Sequence, residues 1–166
     1  MLEIRDELPA DIAAIREVNR QAFGQEQEGR LVDALRANGA ALLSLVAVVD
    51  GSVVGHIFFS PLEVGAVSGA ALAPMAVLPG YQRRGIGSRL VEGGLERLRV
   101  ARCPFVVVVG HPAFYPRFGF ELAAKYGLGC QWDVPEEAFM VAVLDKQIAS
   151  GLNGQAVYRG EFASLE

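Results

Sequence analysis

Residues 70–90 read AALAPMAVLPGYQRRGIGSRL and contain the segment on which the fold prediction rests. The apolar run Ala70–Leu78 predicts a strand, which Pro79 and Gly80 end. Beyond the following loop, apolar residues recur at helical spacing: Ile86, Leu90, Leu95 and Leu98. The stretch therefore predicts a strand, a glycine-bearing loop and a helix in succession.

The loop from Gln82 to Ser88 has the features of a phosphate site. Gly85 and Gly87 allow a tight turn directly before the helix, so several backbone N–H groups can face one place at the positive end of the helix dipole. Spacing excludes two other phosphate loops. Ile86 stands where GxxxxGK[ST] has its lysine, and a dinucleotide-binding loop would have a third glycine. The sequence predicts neither a nucleotide triphosphatase nor a Rossmann enzyme.

This loop resembles the acetyl-CoA pyrophosphate motif of GNAT N-acetyltransferases, Gln/Arg-x-x-Gly-x-Gly/Ala between a strand and a helix. The resemblance implies an acyltransferase that uses acetyl-CoA as cosubstrate and acetylates a primary amine directly. It implies that backbone groups hold the pantetheine arm, that loop N–H groups hold the pyrophosphate, and that Arg83, Arg84 and Arg89 add charge. The alternative is that Gly85 and Gly87 only shape a tight strand-to-helix turn and that the arginines are solvated. The implied cofactor-binding residues are Met75, Ala76, Val77, Gln82, Arg83, Arg84, Gly85, Ile86, Gly87 and Ser88.

A proline inside the Ala70–Leu78 strand fits the same resemblance. Pro74 lacks an N–H group, so it predicts a bulge or an unpaired position. In the family, a bulge in this strand frees backbone groups for pantetheine. The resemblance places acetyl-CoA between this strand and the one at Phe105–Val109, with a backbone N–H near Val77 polarising the thioester carbonyl.

The second candidate segment, HPAFYPRFGF at residues 111–120, follows Phe105–Val109, a wholly apolar run that predicts a buried central strand. Ligands collect where such strands end. The segment is similar to a bacterial GNAT subgroup of predicted acetyltransferases, and Tyr115 matches the tyrosine that protonates the departing CoA thiolate. A phenol with a pKa of about 10 suits that task. The alternative for Tyr115 is a core aromatic whose hydroxyl caps a backbone group.

The general base stays open. Three carboxylates are candidates by location, with an ordinary solvated surface as the alternative for each: Glu26, Glu28 and Glu63. His111 relays a proton, positions the amine or orders its loop. His56 is predicted to be a satisfied sheet residue, and Trp132 and Phe139 are predicted to be packing residues.

The remaining chain predicts an α+β (mixed α/β) fold over residues 1–166 as a single N-acetyltransferase domain. Asp50-Gly51 predicts a hairpin turn between two strands, the second of which Pro61 interrupts. The element order β-α-α-β-β-β-α-β-α-β-β is that of the GNAT family. It predicts a mixed, mostly antiparallel sheet of about seven strands flanked by helices. The bounded elements are Leu2–Glu7, a helix from Pro9, a helix ending at Asn38-Gly39, Leu42–Val49, Val53–Phe59 and Phe139–Leu144.

Composition narrows the class of protein. The chain has 166 residues, 52% of them hydrophobic and 20% charged, which suffices for one core. A net charge of −4 disfavours nucleic acid and mildly favours an amine-bearing acceptor. Neither a signal peptide nor a bilayer-length apolar run is visible, so we expect a cytoplasmic protein with no membrane partner. The spacing of Cys103 and Cys130 is unlike that of zinc ligands. We therefore expect two buried thiols and no metal site.

Several questions stay open at this point. The chain is either an amine acetyltransferase, a transferase of a longer acyl group, or a non-catalytic acyl-CoA-binding or sensing module. The acceptor is an amino acid, a polyamine, an antibiotic, a protein N-terminus or a lysine side chain. The oligomeric state is open, and a homodimer is one arrangement allowed. Residues 151–159 carry turn signals and then a short strand of unassigned role.

Overall fold

The computed structural model describes residues 1–165, without the side chains of residues 149, 164 and 165. Its helices are α1 (Ile12–Phe23), α2 (Gln27–Ala37), α3 (Ile86–Val100) and α4 (Lys146–Ala149). Its strands are β1 (Leu2–Asp6), β2 (Leu43–Val49), β3 (Ser52–Val64), β4 (Val67–Val77), β5 (Phe105–Val109), β6 (Glu121–Leu122), β7 (Leu128–Cys130), β8 (Phe139–Val143) and β9 (Gly154–Val157). Short 3-10 turns lie at Pro9–Asp11, Pro79–Tyr81, Tyr115–Phe118, Ala123–Tyr126, Glu136–Ala138 and Gly160–Leu165.

Within the described residues, the nine strands form one mixed sheet. Seven follow the order β1-β2-β3-β4-β5-β8-β6, and β9 pairs with β3 and β7. The β4–β5 and β7–β9 pairs are parallel, whereas β1–β2, β2–β3, β3–β9, β5–β8 and β6–β8 are antiparallel. The predicted fold class, a mixed sheet with flanking helices, is confirmed, and β7 and β9 extend the predicted set of about seven strands. The helix predicted between β5 and the next strand is a 3-10 turn at Tyr115–Phe118.

The chain divides into two compact units, of which the first comprises Met1–Ser60, Ala73–Gly94 and the residues from Gly160 onward. In this unit, α1 begins after Asp11, whose carboxylate accepts a 2.7 Å hydrogen bond from the Leu8 N–H and pairs with Arg5. The helix ends at Gly24, which has a φ of 70°. The left-handed glycine thus ends the helix, whereas the Asp11 carboxylate holds the turn that precedes it and caps no N–H group of α1.

Helix α3 lies against β3 in the first unit because two glycines leave room for it. A Cβ at Gly55 would lie 3.1 Å from Leu90 Cδ1, and a Cβ at Gly94 would lie 2.5 Å from Phe59 Cζ. The first distance is tight and the second would be a clash. The close approach of helix and strand therefore depends on the missing side chains.

The second unit comprises Pro61–Leu72 and Leu95–Arg159. Strand β5 lies between β4 and β8, and its first four residues are buried, which confirms the predicted central strand. Strand β9 occupies part of the segment whose role the sequence left open. It pairs with β3 at Glu63 and Val64 and with β7, so this segment completes the sheet.

The predicted break in the hairpin strand at Pro61 is wrong, since β3 continues to Val64. Pairing with β2 reaches Phe59, and pairing with β9 begins at Glu63. Pro61 lies between these two stretches, so its missing N–H interrupts neither ladder.

The buried-thiol prediction also needs correction, because Cys103 and Cys130 are only half-buried.

The pairing of β4 with β5 agrees with the unpaired position predicted for Pro74. Strand β4 pairs with β5 at Ala70 and Ala71, and Pro74 lies beyond these positions.

No helix within residues 1–165 is long and apolar enough to cross a membrane.

Candidate active site

The loop between β4 and α3 has an unusual backbone. Arg83 and Gly85 have φ values of 63° and 80°, in the left-handed region. Glycine adopts this conformation without steric cost, whereas arginine is strained in it. The Arg89 N–H donates to the Gly85 carbonyl at 3.1 Å, which is the first bond of the α3 ladder. Gly85 is therefore the residue that caps this helix.

The first four N–H groups of a helix have no acceptor in a preceding turn, and here they belong to Gly85, Ile86, Gly87 and Ser88. Within residues 1–165, none of these N–H groups donates a hydrogen bond. They lie at the positive end of the dipole of a 15-residue helix. This is the arrangement that the sequence predicts for a phosphate site, and the phosphate contact itself stays a prediction.

Side chains around the loop differ in what they can contribute. Arg83, Arg84 and Arg89 are all exposed, and the Arg84 guanidinium lies 5.3 Å from the centre of the Tyr81 ring. A cation over an aromatic face is held by the ring's negative potential. Ile86 is only 4% exposed, so it can meet a ligand only through its backbone.

Gln82 connects the loop back to β4. Its side-chain Nε2 donates to the Val77 carbonyl at 2.9 Å. Its backbone N–H donates to the Pro79 carbonyl at 3.4 Å, and the Tyr81 N–H donates to the Leu78 carbonyl at 2.8 Å. The N–H of Gln82 is thus already engaged, unlike those of the helix end.

The end of β4 carries the predicted pantetheine-binding residues. Ala76 is 3% exposed, whereas Met75 and Val77 are half-buried, as expected for side chains that alternate across a strand. The Leu78 N–H donates to the Val54 carbonyl at 2.8 Å, which anchors this strand end to β3. The predicted backbone contacts with pantetheine stay a prediction.

Tyr115 lies in an aromatic cluster of the second unit. It is 7% exposed, and its ring meets those of Phe114 and Phe120 edge-to-face at 5.0 and 5.5 Å. Within the described residues its hydroxyl has no hydrogen-bond partner, so the alternative of a hydroxyl that caps a backbone group is not observed. Burial raises the pKa of Tyr115 to about 12, so the phenol is protonated at neutral pH and is able to donate.

Sequence reasoning missed Gly110 as the residue that accommodates this ring. A Cβ at Gly110 would lie 2.4 Å from Tyr115 Cε2, so a larger residue would displace the phenol. A glycine that follows a buried β-branched strand and precedes a candidate catalytic residue was the available signal.

The two histidines have different surroundings. His111 is exposed, and its carbonyl accepts the Phe114 N–H at 3.1 Å, so it orders its loop through the backbone. His56 is fully buried, with Nδ1 3.2 Å from Asn19 Nδ2 and Nε2 3.0 Å from Ser44 Oγ. The prediction that His56 is a satisfied sheet residue is confirmed.

The donors and acceptors around His56 can be assigned. The Asn19 amide donates to the Ile15 carbonyl at 3.0 Å, so its nitrogen faces both that oxygen and His56 Nδ1, which accepts. The proton is then on Nε2, which donates to Ser44, and Ser44 donates to Glu7 at 2.6 Å. Burial lowers the pKa of His56 to about 3, so the ring is neutral.

The three candidate carboxylates each have a local partner. Glu26 pairs with Arg30 at 3.3 Å, Glu28 accepts from the Gln25 amide at 3.0 Å, and Glu63 accepts from Ser68 at 2.8 Å. Their positions match the surface alternative and single out no general base. Glu26 also lines a charged pocket of about 240 Å³ between α1 and α2.

Two of the remaining sequence assignments concern packing and metal. Phe139 is buried, and Trp132 packs on Tyr158 with ring centres 5.6 Å apart. Across residues 1–165, no group of three or more His, Cys, Asp or Glu residues is arranged to hold a metal ion.

Comparison with known proteins gives the family. The sequence matches the family described as "Acetyltransferase (GNAT) family" over residues 12–120. It is 39% identical over 162 residues to a protein of Escherichia coli (strain K12) named uncharacterized N-acetyltransferase YhbS, covering 96% of this chain and 97% of that protein. These two matches include the strand, loop and helix that carry the candidate phosphate site.

Solved structures agree. The Escherichia coli YhbS crystal structure in complex with CoA has a TM-score of 0.93 and 38% identity, covering 98% of this chain and 92% of that one. A GNAT family acetyltransferase from Brucella melitensis, in complex with acetyl-CoA, has a TM-score of 0.81 and 37% identity, with 98% of each chain covered. The chain accordingly belongs to the GNAT acetyltransferase family and is an acetyl-CoA-dependent acyltransferase.

Proposed function

We propose that this enzyme transfers the acetyl group of acetyl-CoA directly to a primary amine of a small molecule, peptide or protein. The amine nitrogen attacks the thioester carbonyl carbon, the C–S bond breaks, and CoA leaves as a thiolate. The product nitrogen releases one proton to water or to a base, and the thiolate takes up one proton. No covalent intermediate with the enzyme is required.

The observation that carries this proposal is the unsatisfied helix end behind the Gln82–Ser88 loop. Four N–H groups and a helix dipole favour an anion with several oxygens, as in a pyrophosphate. The exposed arginines of the loop add charge for the same ligand. The backbone of Met75, Ala76 and Val77 is proposed to bind pantetheine, with an N–H near Val77 polarising the carbonyl.

Tyr115 is the proposed proton donor to the thiolate. Its raised pKa keeps the phenol protonated in the free enzyme. A thiol has a pKa of about 8.5, so full transfer from such a phenol is uphill, and the hydroxyl acts first as a hydrogen-bond donor while charge develops on sulfur.

Calorimetry tests the cofactor site. Purified protein is titrated with acetyl-CoA beside a Gly87→Glu variant, whose carboxylate at the helix end would repel the pyrophosphate. We expect micromolar binding by the wild type and its loss in the variant, with unchanged thermal unfolding as the folding control. No binding by the wild type would refute the proposal.

Two rival functions are separated by further measurements. Binding of acetyl-CoA without turnover across a panel of amines would favour an acyl-CoA-binding or sensing module. Tighter binding and faster turnover with longer acyl-CoAs would favour another acyl group. The net charge of −4 favours cationic acceptors, so polyamines and lysine-containing peptides come first in the panel.

A further inference from the structure

We infer that the side chain of Gln82 is a positioning residue that holds the phosphate loop in register with the end of β4, so that one acetyl-CoA molecule can use both segments at once. The inference rests on the proposed function and adds a role for a side chain that touches no ligand atom in that proposal. Its basis is the 2.9 Å hydrogen bond from Gln82 Nε2 to the Val77 carbonyl.

Three hydrogen bonds close the segment between these two residues. Besides the Gln82 side-chain bond, the Tyr81 N–H donates to Leu78 and the Gln82 N–H donates to Pro79. Only the side-chain bond reaches back to the strand itself. Without this bond, the 3-10 turn of Pro79–Tyr81 would connect β4 to the loop, but no hydrogen bond from the loop would reach a residue of β4.

The bond leaves the strand able to bind ligand. A carbonyl oxygen has two lone pairs, so Val77 can accept from Gln82 and from a pantetheine N–H together. The Gln82 bond can therefore persist while pantetheine is bound.

The Gln82 hydrogen bond should affect the binding of a one-segment ligand and of a two-segment ligand differently. A ligand that binds two segments gains from their fixed spacing, because the second contact is made at high effective concentration. A ligand that binds one segment gains nothing from the spacing. Loss of the Gln82 bond should therefore weaken acetyl-CoA while sparing a fragment that has the pyrophosphate and lacks pantetheine.

The test measures dissociation constants of acetyl-CoA and of 3′-phospho-ADP by calorimetry. Gln82→Met keeps the length of the side chain and removes the donor, and Gln82→Asn keeps the amide and shortens its reach. In both variants we expect a three- to tenfold weaker acetyl-CoA complex, the worth of about one hydrogen bond. The dissociation constant of 3′-phospho-ADP should stay within about twofold of the wild type.

Arg83→Met is the matched control, because it removes a charge from the same loop. We expect it to weaken both ligands by the same factor, leaving their ratio unchanged. Equal weakening of both ligands in the Gln82 variants, or no weakening of acetyl-CoA, would overturn the inference while wild-type binding upheld the proposed function. If the wild type bound neither ligand, the proposed function itself would fail.

Discussion

Glu7 and Arg36 are joined by two hydrogen bonds, from Nε to Oε2 at 2.7 Å and from Nη2 to Oε1 at 2.8 Å. Their side chains are only 14% and 19% exposed. Burial opposes ionisation of Glu7, but hydrogen bonds from Arg36 and Ser44 outweigh it and lower the pKa of the carboxyl. The pair fastens α2 to the segment after β1 and continues, through Ser44, to the buried His56.

Glu7→Gln should destabilise the fold by about 1–3 kcal/mol, because the largely buried Arg36 guanidinium loses a carboxylate held by two hydrogen bonds, although it keeps its pair with Asp33 at 3.1 Å. Urea unfolding at pH 7.5 measures this. The control is Glu17→Gln, which breaks the exposed pair with Arg20 and should leave the unfolding midpoint unchanged. Equal midpoints for both variants would contradict the importance of the buried pair.

The pH dependence of stability should reflect His56. Its pKa is about 3 in the folded protein and about 6.5 when unfolded, so acid charges the unfolded chain first. Stability is fully present above pH 6.5 and falls below it, by about 2 kcal/mol between pH 7.5 and pH 5. Glu7 adds its own loss only at lower pH, since the ordinary pKa of its carboxyl is 4.5.

His56→Gln isolates this effect, because an amide can accept from Asn19 and donate to Ser44 without titrating. We expect the variant to be less stable at pH 7.5 but to lose less on acidification. The measurement is urea unfolding at both pH values. A loss as large as that of the wild type would assign the acid sensitivity to other groups.

Tyr115→Phe should lower kcat by about 100-fold with an acceptor found in the amine panel, because the leaving thiolate loses its donor. The KM for acetyl-CoA should change little. With the pKa of Tyr115 raised to about 12, wild-type kcat should show no decline from its ionisation up to about pH 10. Full turnover by the variant would remove Tyr115 from the mechanism.

Gly110→Ala should lower kcat through the same phenol, because its methyl group would displace the Tyr115 ring. The combination with Tyr115→Phe should lower kcat little further, since both changes remove one contribution. Gly160→Ala is the control, as its methyl group meets nothing within 4 Å. Multiplying effects in the double variant would show that Gly110 acts independently of the phenol.

We also predict that residues 1–166 unfold as a single domain. The boundary between the two compact units interrupts β3, β4 and α3 along the chain. Trp132, the one tryptophan of the sequence, reports on the second unit by fluorescence, and far-UV circular dichroism reports on all helices and strands. Both signals should follow one urea transition. Separate midpoints would indicate two domains.

The sequence predicts best what neighbouring residues decide. The glycine-bearing loop and the apolar spacing after it predict a helix where α3 is found, and the apolar run at Phe105–Val109 gives β5 with its observed bounds. The prediction at Pro61 was wrong because the effect of a proline in a strand depends on which strand pairs with it there. The strand that pairs with β3 after Pro61 is β9, almost 100 residues later in the sequence.

The candidate phosphate loop and the buried hydrogen-bond network of His56 differ in the same way. The phosphate loop is a local motif, so its place before α3 and the turn at Gly85 could be predicted. The left-handed Arg83 was not predicted, and Gly87, which was predicted to lie in the turn, belongs to α3. His56 contacts Asn19 of α1 and Ser44 of β2, and Ser44 connects it to Glu7; no spacing in the sequence links these residues. The Gln82 bond to Val77 spans five residues, yet a glutamine in an exposed loop has many partners within reach. Such contacts are fixed only by the folded backbone.

The Phe59 ring occupies the space that a side chain at position 94 would need. We therefore expect substitutions at positions 59 and 94 to depend on each other. Among homologous sequences, alanine or serine at position 94 should occur together with a smaller side chain at position 59. A library that varies position 94 alone should lose its folded members, and one that varies both positions should recover them. The pair would then appear as a covarying couple that joins the middle of α3 to β3, although neither residue belongs to the acetyl-CoA site.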